Sequence, residues 1–336
     1  MIRRLAFVFC STLLVCCAAA AQTTLNGAGA TFPYPIYSKW FSEYHNQHPD
    51  IQINYQSIGS GGGIRQVLAG TVDFGASDGP MTDDQLSQAK TKIYHIPTVL
   101  GSVVPVYNLP GVSTELKFTP QVLSDIFVGK IVNWNDPAIA KVNPGVKFPN
   151  QPVLVVHRSD GSGTTYCFTD YLSKISNDWR SGPGKGTSVK WPVGLGAKGN
   201  EGVSGMVRQM EGSIGYVELI YAVQNKMSYG SMQNASGNFV KASLDSTAAA
   251  AASVKSMPPD FRVSITNAPG KDAYPISTFT WLLIPAQAKE ASKQKIILDF
   301  LNWMLDSGES MAAQLTYAPL PQEVATKVRA TVKQIH

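Results

Sequence analysis

The sequence predicts an α/β protein, and three observations carry that expectation. Apolar runs with a period of two alternate with apolar stripes of helical period along the whole chain. Three times a strand-like run passes through a glycine-rich turn straight into a helix-like stripe, at Asn26–Thr31, Ile58–Gly63 and Arg158–Thr164. Beyond the first 21 residues more than three hundred remain, enough for two domains with sizeable cores.

The chain opens with basic Arg3 and Arg4, an apolar run from Leu5 to Cys17 too short to span a bilayer, and the small residues Ala18 to Ala21. That order predicts a secretory signal over residues 1–21, cleaved after Ala21, and hence a periplasmic protein. Cys10, Cys16 and Cys17 leave with it, so Cys167 remains alone and no internal disulfide is expected. A lipid anchor on Cys16 or Cys17 is disfavoured, because Val15 and Cys16 stand where a small residue must precede the modified cysteine. Taking Arg3 and Arg4 from a formal charge of +5 leaves +3, spread along the chain without a basic run, which sets nucleic acid aside. No later stretch is long and apolar enough to cross a membrane.

Each element follows from its residues. After the first glycine turn, Ile36 and Trp40 suggest a helix whose start Pro33 and Pro35 should interrupt. Ile51, Ile53 and Tyr55 alternate as a strand, and Ile64, Val67 and Leu68 mark a helix ending at Gly70. Val72, Phe74 and Ala76 form a short strand that delivers Ser77 and Asp78, and Thr82 with Gln85 fits a capping box. Ile96 to Tyr107 reads as a long strand or crossing link, despite two prolines. Thr119-Pro120 starts a helix faced by Val122, Leu123, Ile126 and Phe127. Val153 to Val156 is a buried strand before a helix faced by Phe168, Tyr171, Leu172 and Ile175. Val203, Met206, Val207 and Met210 mark another helix, and Ile214 to Tyr216 another strand. An alanine-rich helix spans 246–255. Pro275 to Ile284 is a returning strand. Two closing helices are lined by Ile297, Phe300, Leu301 and Met304, then by Val324, Val328, Val332 and Ile335.

The glycine turns carry the chemistry. A strand, glycine turn and helix in that order leave backbone N–H groups and the positive helix end facing outward, an anion site. Ser162 and Thr164 stand at a helix cap, Arg158 offers a fork of donors, Ser60 heads a second such helix, and Thr31 with the amide of Phe32 adds a third set of donors. The plain alternative for Arg158 to Thr164 is a capped helix with a surface ion pair between Arg158 and Asp160. Asp78, at the carboxyl end of its strand, lies at the same edge as Ser60 and becomes useful if the anion carries a proton. The dinucleotide fingerprint is incomplete at Gly27 and Gly29, and no Walker sequence, HExxH or clustered Asp/His set is present, so neither cofactor nor metal is expected. His45 and His48 fit an exposed helix face better than a metal site. A secreted phosphatase, with Ser162 as nucleophile and Asp78 or His157 as base, lacks the usual frame around its nucleophile.

These motifs resemble the periplasmic phosphate-binding protein family of bacterial phosphate-specific ABC transporters over nearly the whole mature chain. The matching runs are Gly27 to Pro33, Gly59-Ser60 with Gly62-Gly63, Val72 to Asp78, Arg158 with Asp160 to Thr164, Val189 to Pro192, and Gly212 with Ile214 to Glu218. The resemblance implies a two-lobed binding protein fold of type II, each lobe a mixed sheet flanked by helices. Lobe I would hold 24–98 plus 270–336, and lobe II 99–269. By motif position it implies phosphate contacts from Thr31, Phe32, Ser60, Asp78, Arg158, Ser162, Gly163 and Thr164, with Asp160 pairing the arginine. It further implies delivery to membrane permease subunits; arsenate, protonated like phosphate, is expected to act as an analogue, and the missing catalytic machinery predicts a protein, expected as a monomer, that is not an enzyme. Gly61 departs from a serine common in the family, and 225–260 matches least. A receptor for sulfate or molybdate is the nearest rival and would have no need of Asp78.

Overall fold

A computed structural model describes residues 22–254 and 256–335. The expected signal at 1–21 lies outside them. The first third alternates strand and helix: β1 (Thr23–Gly29), α1 (Tyr34–Gln47), β2 (Ile51–Ser57), α2 (Ser60–Ala69), β3 (Phe74–Ser77), α3 (Asp83–Ser87) and the long β4 (Ile93–Asn108). The middle contains β5 (Lys117–Phe118), α4 (Pro120–Phe127), α5 (Pro137–Val142), β6 (Leu154–Arg158), α6 (Gly163–Ile175), α7 (Asn177–Ser181), β7 (Leu195–Ala197), α8 (Gly199–Gln209), β8 (Ser213–Glu218) and α9 (Leu219–Gln224). Then come β9 (Ser228–Tyr229), β10 (Ser231–Gln233), β11 (Phe239–Val240), α10 (Leu244–Ala252), β12 (Ser277–Pro285), α11 (Ala291–Asp306) and α12 (Gln322–Val332).

One mixed sheet organises these elements in the order β2-β1-β3-β12-β4-β8-β6-β7, with β9 also on β4; β11-β10-β5 form a small second sheet. β4 serves two neighbourhoods. Its residues Ile93 to Ser102 pair antiparallel with β12, and Val103 to Asn108 pair antiparallel with β8. Around the first neighbourhood β1 runs parallel to β2 and β3; around the second β6 runs parallel to β7 and β8. Parallel strands need crossover helices, which bury both sheet faces. Phe41 and Tyr44 of α1 meet Phe300 of α11 near the first neighbourhood, while near the second Phe168 stacks on Tyr216 and meets Phe127 edge-on. Burying each such ring contributes roughly 2 kcal/mol or more.

Two expectations are corrected. Pro33 and Pro35 do not interrupt α1: the helix begins at Tyr34 with proline in its first turn, where a missing N–H costs nothing. The alanine-rich helix spans Leu244–Ala252, ending well before Pro258, and a Ser243–Ser246 capping box sets its start. Cys167 is free and buried.

Candidate functional site

Two glycine-led helix starts face each other across the molecule. Gly59, at φ +85°, turns the chain into α2, and Ser60 begins that helix. Opposite it, Ser162 caps α6 by accepting the Thr165 N–H at 3.0 Å. The Gly61 N–H donates to the Gly161 carbonyl at 2.9 Å, and the Ser60 hydroxyl oxygen accepts the N–H groups of Gly163 at 2.9 Å and Asp78 at 3.3 Å. Only glycine allows such an approach: a Cβ on Gly163 would stand 2.5 Å from Ser60 Oγ and 2.6 Å from Asp78 Oδ2. The positive ends of two helices of ten or more residues therefore meet at one point.

Arg158 closes one side. Its Nε and Nη2 donate to Asp160 Oδ1 and Oδ2 at 2.7 and 2.6 Å, and Nη1 reaches Thr164 Oγ1 at 3.4 Å. The ion pair is made, but it is not a surface pair: Arg158 is 3% exposed. Burial disfavours the Asp160 charge, yet the Arg158 bonds and the Gly199 N–H outweigh it and hold the carboxyl below its usual range. The bidentate pair fixes the guanidinium plane and leaves Nη1 as its free edge.

Asp78 closes another side. It is 1% exposed, and Thr280 Oγ1 donates to its Oδ1 at 2.9 Å. Burial pushes its pKa up to about 7, against the pull of Thr280, Arg158, Ser60 and the Thr164 amide. Ser60 has both lone pairs taken by backbone N–H groups, so its own proton can only be donated inward. Thr31 and Thr164 are buried beside them, bridged by Asn200. Phe32 is buried with its carbonyl accepting from Tyr317 Oη at 2.5 Å, so the C-terminal segment anchors that turn. The structure thus brings Thr31, Ser60, Asp78, Arg158, Asp160, Ser162, Gly163 and Thr164 together, with Phe32 next in chain to Thr31. The cluster offers N–H and O–H donors, one compensated cation and one carboxyl.

Sequence reasoning missed three partners. Thr280 is a hydroxyl inside the apolar run of β12, and polar residues in a buried strand were the legible signal. Tyr216 donates or accepts at Thr165 Oγ1 (2.7 Å) and accepts the Arg158 N–H at 3.2 Å; it read only as core. Asn200 precedes the apolar stripe of α8, and nothing in its spacing marks it. His157 stacks on Trp191 at 4.7 Å, with Nδ1 at the Arg158 carbonyl, away from the cluster. His45 is part-buried, its Nδ1 2.6 Å from the Ile51 carbonyl.

A model of the PBP superfamily domain matches residues 18–308. The phosphate-binding protein PstS of Xylella fastidiosa is 49% identical over 308 residues, which cover 91% of this chain and 84% of that protein. PstS of Pasteurella multocida is 47% identical over 312 residues, covering 92% and 90%. Among solved structures, the ancestral soluble variant of the human phosphate-binding protein aligns with a TM-score of 0.76 at 22% identity, covering 92% of this chain and 93% of that one. That likeness bears on the fold alone.

Proposed function

The chain belongs to the PBP superfamily and within it to the PstS phosphate-binding proteins, and from that premise we propose that it binds inorganic phosphate in the periplasm and hands it to the permease of an ABC importer. The observation that carries the reading is the buried ring of donors around a single carboxyl. Ser60, Ser162, Thr31, Thr164, the amides of Phe32 and Thr164, and the Nη1 edge of Arg158 would hold the oxygens of the dehydrated anion, while Gly163, expected as a direct contact, gives its N–H to Ser60 Oγ and so leaves that hydroxyl to donate. Two helix N-termini add favourable dipoles. Phosphate near neutral pH still carries a proton, and Asp78 would accept it; sulfate has none to give and would face the carboxylate in a dry cleft, at a cost of several kcal/mol.

The same reading includes two lobes, 24–98 with 270–336 and 99–269, with their boundary a few residues before the point where β4 changes partner from β12 to β8, between Ser102 and Val103. Thr31, Phe32, Ser60 and Asp78 would come from one lobe and Arg158 to Thr164 from the other, so that closing the hinge assembles the site. It also includes removal of residues 1–21 by cleavage after Ala21 and a monomeric state. Hydrolysis of phosphate esters is disfavoured because Ser162 caps α6 and His157 is stacked elsewhere.

Titration of the tryptophan fluorescence with phosphate, arsenate and sulfate tests the proposal, beside release of phosphate from a generic monoester. Phosphate and arsenate should saturate the same change, sulfate should not compete, and no ester should be cleaved. Tighter binding of sulfate or molybdate than of phosphate would overturn the assignment.

A further inference from the structure

Asn200 has no task in the proposed function, yet it is fully buried in the first turn of α8, between the Thr31 turn and the start of α6. The Glu218 N–H donates to its Oδ1 at 3.0 Å. A backbone N–H can only donate, so the amide oxygen is fixed on that side and both Nδ2 hydrogens face the cluster. There Nδ2 stands 2.8 Å from Thr31 Oγ1 and 3.2 Å from Thr164 Oγ1. The Asn200 backbone N–H also reaches Thr31 Oγ1, at 3.2 Å, and Arg158 Nη1 reaches Thr164 Oγ1 at 3.4 Å.

Each of these hydroxyls therefore receives two donors. A hydroxyl has two lone pairs and one proton; with both pairs occupied, the O–H is left with donation as its only role. We propose that Asn200 is a positioning residue that sets Thr31 and Thr164 as obligate donors towards the bound anion, and does so only when the Thr31 turn and the start of α6 are together. The inference rests on the phosphate reading and adds to it a reason why these hydroxyls reject ligands that must donate to them. It also couples ligand recognition to closure, since one amide spans Thr31 and Thr164.

The test compares Asn200→Asp and Asn200→Ala with the wild type in phosphate titrations from pH 5.5 to 8.5. The aspartate is nearly isosteric but accepts where asparagine donates, so both hydroxyls turn towards it and away from the anion. At pH 8 Asn200→Asp should weaken phosphate binding roughly a hundredfold or more, and Asn200→Ala, which only frees the hydroxyls to rotate, roughly tenfold. The aspartate deficit should shrink as pH falls and the introduced carboxyl takes a proton, while the alanine deficit stays flat. Asp78, Arg158, Asp160, Glu201, Glu218 and Tyr221 surround the position in both variants, so their titration cancels in the ratio of the two. A strut that merely fills space would weaken both variants alike with no pH-dependent difference, and that result overturns the proposal, as does an unchanged Kd in Asn200→Ala. If Asn200→Asp fails to fold, a cycle with Thr31→Val decides: the loss from Asn200→Ala should shrink once Thr31→Val is present, and additive losses overturn the role. A wild type that does not bind phosphate is a separate outcome, which removes the phosphate reading and this inference with it.

Discussion

Two buried side chains, Asp78 and His95, give the stability opposite dependences on pH. Burial raises Asp78 to about 7, so between its ordinary value and 7 the folded state binds more protons than the unfolded chain, and stability falls as pH rises. His95 is the reverse: buried, with Nε2 accepting the Met81 N–H at 3.0 Å, its pKa is lowered to about 4, chiefly by desolvation. Between about 4 and its ordinary value the unfolded state binds the extra proton, so stability rises with pH. Each contribution is at most about 3 to 4 kcal/mol by the pKa difference, and they offset over the acid range. Asp78→Asn removes one of them. In chemical denaturation without ligand it should stabilise the protein at pH 8, by up to about 4 kcal/mol, and expose a rising stability between pH 4 and 6.5 that the wild type masks. A parallel pH profile for variant and wild type would contradict the assignment. In ligand titrations the same substitution should narrow the preference for phosphate over sulfate; unchanged discrimination would remove the carboxyl from the account of selectivity.

The helix starts behave as units, and their glycines are not equivalent. A Cβ on Gly63 would stand 2.5 Å from the Ala28 carbonyl oxygen and 2.6 Å from the Gly29 Cα, backbone atoms that cannot move aside, because α2 crosses close over β1 and β3. Gly63→Ala should therefore destabilise by about 3 kcal/mol or fail to fold. Ser162→Ala removes one cap from α6 and should cost about 1 kcal/mol in thermal or chemical unfolding. Equal losses from the two would argue against this packing. The strand, turn and helix order of these units was legible because glycine, capping hydroxyls and apolar period are all local signals. β4 was legible only as a strand or a link: Pro97 and Pro105 argue against a central strand, and the structure seats Pro97 opposite Trp281 beside a bulge at Thr98, because Thr280 and Trp281 pair with Val99 and Pro97. That accommodation is a bulge in β4 itself, but it depends on the register against β12, which no local signal in β4 reveals. Asn200 was hidden for a related reason, since its significance lies in Thr31 and Glu218, far along the chain.

At the scale of the whole molecule, the bonds that join the cleft differ in kind from those that join the hinge. At the proposed hinge the chain runs continuously through β4, and the Val103 N–H donates to Ile276 O at 2.8 Å. Between the two segments the contacts are isolated bonds, among them Ser60 with Gly163, Gly61 with Gly161, Asn200 with Thr31, Tyr221 Oη donating to the Thr31 carbonyl at 2.6 Å, Arg262 Nη1 donating to the Met81 carbonyl at 3.0 Å and to Asp83 at 2.7 Å, and Trp281 Nε1 donating to the Phe261 carbonyl at 3.0 Å. Such sparse bonds hold the closed form only weakly without an anion whose charge the donors can share, so ligand and closure should be linked. Phosphate at a thousandfold excess over Kd should stabilise the fold by about 4 kcal/mol and raise Tm accordingly. The linkage can be broken at one glycine. A Cβ on Gly161 would stand 3.1 Å from Gly61 Cα, already tight, and φ at Gly161 lies outside the left-handed region, so a larger residue strains the closed contact without straining its own backbone. Gly161→Val touches neither Asp78 nor the hydroxyls, yet it should wedge the two turns apart. Phosphate affinity should fall about tenfold or more while the unliganded Tm stays close to that of the wild type. Small-angle scattering should then find the wild type more compact in saturating phosphate and Gly161→Val no more compact than without it. A variant that binds and contracts like the wild type would mean that the turns do not need to meet for the anion to be held.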